Sequence, residues 1–314
     1  MKELVHIAPE ARGLQLVLGA GQIGSLVAEQ LLERGHRVRV ARRTAGGDAR
    51  FENVSLDVRD ADAVARAADG ATVVYNCTNP LYHQWPELLL PMVKGSAEGA
   101  AKAGARLVVL DNLYMYGDNS RMHEAQPTSP VSKKGKLREQ AGEWLLSRNQ
   151  TVAIGRAADF FGPKTPFAMF GERVFERALA GRAVEVFGDL DQPHSYAYTV
   201  DVARALVALG SRETRGVWML PVNPIETTRQ LLDRYSKALG VPVRTTHVPK
   251  WVLRTMGVFA KQLGETVEMI YQWEHPYVVD DSKFRAAFGF GATPWDEAIA
   301  ATTSWALETF RAAA

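Results

Sequence analysis

An apolar run, Leu14-Gln15-Leu16-Val17-Leu18, leads directly into Gly19-Ala20-Gly21-Gln22-Ile23-Gly24, and an apolar-periodic stretch follows at once. Three glycines spaced this way between a strand and a helix suit a turn that cradles a dinucleotide pyrophosphate. Gly19 takes the tight turn, Gly21 lets backbone approach the phosphates, and Gly24 lets the helix pack close on the strand. Gln22 and Ile23 stand at the helix N-terminus, whose unpaired N–H groups face the anion. A phosphate loop of the ATP-binding type needs Lys directly after the last glycine, and here that residue is Ser25. Phosphoryl transfer is therefore not expected.

The next apolar-alternating run, His36-Arg37-Val38-Arg39-Val40, ends in Ala41-Arg42-Arg43. A site preferring NAD places a carboxylate near this point to hold both ribose hydroxyls. Here the strand end offers two guanidiniums instead, and their planar donor forks match a 2′-phosphate. NADP(H) is the expected cofactor; a solvated basic loop is the alternative reading of the pair.

Short β-rich runs continue to alternate with amphipathic stretches, as in a parallel sheet covered by helices. Strands are expected at Val54-Leu56, Thr72-Asn76, Arg106-Leu110 and Thr151-Ile154, and helices near 61–68, 87–103 and 136–147. The fold class is α/β, a Rossmann-type doubly wound parallel sheet with a smaller C-terminal substrate lobe. Residues 1–165, with 198–220, are assigned to the dinucleotide-binding domain and 166–314 mainly to the substrate lobe. Ligands of such sheets bind outside the carboxyl ends of the strands, so residues that follow strands are the informative ones. Asp57 and Val58 follow the third strand, with Asp57 placed to receive an adenine amine. Asn76, Cys77 and Thr78 follow the fourth and flank the cofactor. Asp111-Asn112-Leu113-Tyr114-Met115-Tyr116-Gly117 follows the fifth.

With 314 residues, 46% hydrophobic and 23% charged, the chain can bury a large core. A net charge of +2 makes no electrostatic case for nucleic acid. The single cysteine excludes an internal disulfide framework and fits a reducing compartment. No signal peptide or membrane-length apolar run is found, so a cytoplasmic protein with no membrane partner is expected. The seven histidines lack metal-binding spacing, and no Gly-x-Ser-x-Gly elbow is present.

Taken in order, the glycine turn, Asp57-Val58, Tyr116-Gly117, Arg156 to Phe161-Gly162-Pro163, Asp201-Val202-Ala203, Asp281-Ser282-Lys283-Phe284 and the closing helix with Trp305 resemble the extended short-chain dehydrogenase/reductase superfamily, the branch of NAD-dependent epimerases and dehydratases. That resemblance implies a Ser/Thr, a Tyr and a Lys in a catalytic set, with Tyr-x-x-x-Lys spacing. Lys136 occupies the lysine position, yet Ser132 stands where the tyrosine belongs and Asn112 replaces the serine. The chain reads as an atypical member without the standard acid/base phenol. An aliphatic hydroxyl cannot replace a phenol in that role. Lys136 remains a ligand for the nicotinamide ribose and a catalytic residue whose positive charge supports proton transfer, a solvated helix lysine being the alternative reading. Tyr114 is the first choice as substitute acid, whereas Tyr116 has a packing role. Asn112 either donates to a substrate oxygen or caps its turn.

Substrate contacts are expected from Tyr82, Trp85, Phe160, Phe161 and Trp273, with Phe167, Phe170 and Tyr277 as further aromatics. This set suits an apolar or aromatic ring better than a sugar diphosphate. His194 stands where extended members carry a basic residue for a nucleotide phosphate, and is either an acid/base group or a satisfied loop histidine. The leading expectation is an NADP(H)-dependent oxidoreductase acting on a small, partly apolar carbonyl, enone or imine. The alternatives are a redox-neutral epimerase or dehydratase with tightly bound cofactor, and a non-catalytic NADP(H)-sensing regulator. A homodimer is a possible assembly.

Overall fold

Leu14, Leu16 and Leu18 point to one side of their strand and Val17 to the other, and both sides are buried. Such a strand belongs in the middle of a parallel sheet. The computed structural model describes residues 13–148, 151–259 and 267–310. In it Leu14–Leu18 forms β1, followed by Gly24–Glu33 (α1), Arg37–Arg42 (β2), Glu52–Ser55 (β3), Ala61–Ala67 (α2) and Ala71–Asn76 (β4). Next come Trp85–Lys102 (α3), Arg106–Asp111 (β5), Arg121–Met122 (β6), Lys133–Leu146 (α4), Val152–Arg156 (β7), Asp159–Phe161 (β8) and Glu172–Leu179 (α5). Val184–Val186 (β9), Pro193–His194 (β10), Tyr196–Tyr198 (β11), Thr199–Ser211 (α6), Gly216–Met219 (β12), Glu226–Thr227 (β13) and Thr228–Leu239 (α7) lead into the last part. Thr245–His247 (β14), Lys250–Phe259 (α8), Val278–Val279 (β15), Ser282–Phe288 (α9) and Trp295–Phe310 (α10) complete the order.

Seven parallel strands stand in the order β12-β7-β5-β4-β1-β2-β3. The direction of winding reverses between β1 and β4, and the crevice outside their carboxyl ends is the switch point where such sheets take ligands. One face packs Val17, Val73 and Val108 with residues of α1 and α6, and the other packs Leu16, Val74, Leu107 and Ile154 with α2, α3 and α4. The six strands read from the sequence are joined by β12, a short strand whose first three residues are only half buried. A separate aromatic core, with Phe161, Phe175, Tyr196, Tyr235, Trp273 and Trp295, lies among α5, α7 and α10.

Local chemistry decides where the helices begin. Asp60 caps α2 by accepting from the N–H groups of Asp62 and Ala63. Thr227 and Gln230 form a reciprocal cap on α7, which Gly240 ends in the left-handed conformation. Ser132 accepts from the Gly135 N–H and starts α4 at Lys133, three residues earlier than its periodicity suggests. No described helix is long and apolar enough to cross a membrane.

Candidate functional site

The loops after β1 and β4 meet at the switch point. Gly19 has φ +90°, and a Cβ there would stand 3.0 Å from Thr78 Cγ2. A Cβ on Gly24 would lie 1.8 Å from the Gly19 carbonyl oxygen, so helix and turn touch only because this residue has no side chain. Above Gly21, by contrast, a Cβ would meet nothing within 4 Å. That open space is the cradle, and a side chain would begin to fill it. Ile23 is the N-cap of α1 and offers no side-chain cap. The backbone N–H groups of Gln22 and Ile23 have no partner among the described residues, and Gln22 Oε1 is buried without one. A pyrophosphate would satisfy such N–H groups. The Ile23 side chain itself is in the core.

At the end of β2, Arg42 is half-buried and its Nε is buried without a partner, while Arg43 is exposed. Asp57 accepts from Arg59, whose guanidinium holds its carboxyl below the usual carboxylate range. The adenine-facing role expected of Asp57 therefore competes with this ion pair. Val58 is buried in the core under α3, so its contribution there is packing. Asn76 is buried and turned inward, donating to Ser96 Oγ at 2.8 Å and accepting from the Thr78 N–H and hydroxyl. It shapes the loop from below. Burial pushes the Cys77 thiol up to about 12, which leaves it a neutral packing group.

The loop after β5 rests on a buried charge cluster. Asp111 pairs with Arg138 at 3.2 Å and Arg156 at 3.3 Å, all three nearly inaccessible. Arg138 also donates to Asn79 Oδ1 and lies 4.4 Å over the Trp85 ring. Arg156 donates to the hydroxyl of Tyr116, a fully buried structural residue. Asn112 Oδ1 accepts from the Tyr114 N–H at 3.3 Å and so caps the turn. Tyr114 is stacked beside Trp85, and its hydroxyl lies 2.6 Å from that of Tyr82. Burial raises the Tyr114 phenol well above its usual value, and Tyr82 is raised too.

The lysine at this place is Lys134, a correction to the expectation for Lys136. At about 100° per residue, positions 134 and 138 share a face of α4 and position 136 points the other way. Lys134, Arg138 and Ala141 are buried, whereas Lys136 and Gln140 are exposed. Lys134 Nζ lies 5.0 Å over the Tyr82 ring and 2.7 Å from Glu268. The early start of α4 at the Ser132 cap sets this phase.

β8 and β10 supply a pair absent from the sequence reading. Asp159 Oδ2 is 2.8 Å from His194 Nε2. His194 is buried, stacked on Trp273 and Tyr277, with Nδ1 unpartnered. A carboxylate facing Nε2 makes that nitrogen the protonated one. Burial raises the phenols of Tyr114, Tyr271 and Tyr277, and the Asp159 charge adds to the shift. The Tyr277 hydroxyl is buried without a partner among the described residues, and the Tyr271 hydroxyl lies beside Ser132. Asp159, Tyr271 and Lys134 thus join Tyr82, Tyr114 and His194, which the sequence had singled out.

Other expected substrate residues lie elsewhere. Phe161, Phe170 and Trp273 are packed in the aromatic core, Trp273 reaching the site only through the His194 ring. Trp85 is covered, with its indole N–H donating to the Pro80 carbonyl. Phe160 is half-buried against the sheet core and Phe167 is exposed. Large aromatic surfaces are used first to build the lobe. No group of three metal-ligating side chains occurs among the described residues.

The NAD dependent epimerase/dehydratase family matches residues 15–218. UDP-glucose 4-epimerase of Mycolicibacterium smegmatis is 28% identical over 268 residues, 72% of this chain and 83% of that protein. UDP-N-acetyl-alpha-D-glucosaminuronate decarboxylase of Bacillus cytotoxicus is 22% identical over 229 residues, 63% of this chain and 71% of that protein. MoeE5 in complex with UDP-glucose and NAD superimposes with a TM-score of 0.77 at 20% identity, over 96% of this chain and 100% of that one. The Bordetella bronchiseptica enzyme WbmH in complex with NAD+ gives 0.75 at 17% identity, over 95% and 99%. At these identities the structural likeness is one of fold.

Proposed function

Because the chain belongs to the NAD dependent epimerase/dehydratase family, we propose that it is an oxidoreductase that binds NADP(H) and moves hydride to or from a small, partly apolar carbonyl, enone or imine. The observation that carries this reading is what the second lobe offers beside Tyr114. At the place of a nucleotide-phosphate cation stands His194, already engaged by Asp159 and enclosed by aromatic rings. The nearby cations Arg229 and Arg234 are in ion pairs with Asp191 and with Glu226 and Asp296. Rings and acceptors suit a sugar diphosphate poorly.

Gly19, Gly21, Gln22 and Ile23 would hold the pyrophosphate through backbone, and Arg42 with Arg43 the 2′-phosphate. When bound, the nicotinamide supplies or accepts hydride. Tyr114 holds the proton that the substrate heteroatom takes up. Its raised pKa keeps that proton in place at neutral pH, which suits a donor better than a base. Tyr82 steadies the Tyr114 hydroxyl, and the Lys134 ammonium over the Tyr82 ring adds positive potential. Arg138, Asp111 and Asn79 fix the loops that carry them.

Titration of the purified protein with NADPH and NADH, followed by nicotinamide fluorescence, tests the reading. NADPH-selective binding, then net NADPH consumption with a carbonyl or imine panel, is expected. Cofactor already bound and no net absorbance change during turnover would replace it with redox-neutral chemistry. Binding without any turnover would leave a regulator.

A further inference from the structure

Asp159 is a quarter exposed, and only one of its oxygens is used, by His194 Nε2. The other has no partner among the described residues. Cations that approach the neighbouring tyrosines are taken by different carboxylates, Lys134 by Glu268 and Arg138 by Asp111. Nearby, His194 Nδ1 and the Tyr277 hydroxyl are buried without partners among the described residues. At the Tyr277 hydroxyl, the charged group that acts is Asp159. A partly exposed carboxylate oxygen and tyrosine rings together complement a positively charged ligand.

We propose that the substrate binds as a cation, a protonated amine or imine, with its nitrogen against Asp159 and beside the rings of Tyr271 and Tyr277. This ligand presupposes that the site is the hydride-transfer site proposed above and selects the nitrogen compounds from its substrate range. An iminium is also the better hydride acceptor; hydride addition gives the neutral amine, which takes the Tyr114 proton to become the ammonium that the same carboxylate holds. Asp159 then contacts substrate directly, with His194 as its positioning residue.

The experiment is calorimetric titration of the NADP+-saturated protein with two probes of one shape, benzylamine and benzyl alcohol. Benzylammonium is expected to bind tighter by about tenfold or more, the worth of a partly desolvated charge pair with ring contacts. In Asp159→Asn that ratio should fall towards unity while NADPH affinity stays unchanged. Equal or weaker binding of the cation, binding of neither probe, or an undiminished ratio in the variant each overturns the proposal. The wild-type ratio decides the matter even where the variant does not fold. Failure of the hydride-transfer reading would show separately, as loss of NADPH-selective binding in the cofactor titration.

Discussion

Gly21 and Gly24 sit three residues apart and differ in what a methyl group would meet. Gly24→Ala drives a Cβ into the Gly19 carbonyl and is expected to cost about 1–3 kcal/mol of stability, together with cofactor affinity. Gly21→Ala places its Cβ in open space, so stability should stay within about 0.5 kcal/mol while NADPH affinity drops by about tenfold. Melting temperature and titration, measured on both, separate a packing glycine from a cradle glycine. An unchanged affinity in Gly21→Ala would remove the cradle assignment. The arginine pair makes a sharper demand. Removing both Arg42 and Arg43 should weaken NADPH by about 1.5–3 kcal/mol and NADH little, the value of charge-assisted bonds to a phosphate. Equal losses for the two cofactors would end the 2′-phosphate assignment.

At the scale of the element, α4 shows how one cap selects a functional face. Its phase turns Lys134 and Arg138 inward and Lys136 outward. Lys136→Ala is therefore expected to leave melting and turnover alone, within about 0.5 kcal/mol. Lys134→Ala strips a partner from Glu268, which is a quarter exposed, so the cost is expected at about 1–3 kcal/mol rather than that of a fully buried pair. Reversal of that order, with Lys136 the sensitive position, would contradict the helix phase. Asp111 joins β5 to α4 and β7 through two buried guanidiniums. Asp111→Ala leaves both without their carboxylate, and chemical denaturation should record a loss of about 3–5 kcal/mol. A loss below about 1 kcal/mol would mean that water enters the cluster and solvates the two guanidiniums.

For the whole molecule, buried phenols set the alkaline limit. Tyr114, Tyr196, Tyr235, Tyr271 and Tyr277 are all raised by burial, and Tyr198 is pushed up to about 12. The native state keeps these protons to higher pH than the unfolded chain, so their contribution is complete below the unfolded value of about 10 and is lost as pH rises past it. Urea midpoints should be level through neutral pH and fall steeply above about pH 10; a level profile beyond that point would mean the phenols are hydrated in the native state. The glycine turn and the alternation of strands and helices were legible in the sequence, because each is decided by a few neighbouring residues. So were Tyr82, Tyr114 and His194, as aromatic or titratable groups in loops. Lys134 over Lys136 depended on a helix start that Ser132 moved by three residues. The Asp159–His194 pair joins residues 35 apart, and Tyr271 arrives from more than 130 residues beyond Ser132. Local chemistry writes turns, caps and periodicity into adjacent residues; which polar atoms end up facing one another, and which remain unsatisfied, is settled only when the second lobe packs against the sheet.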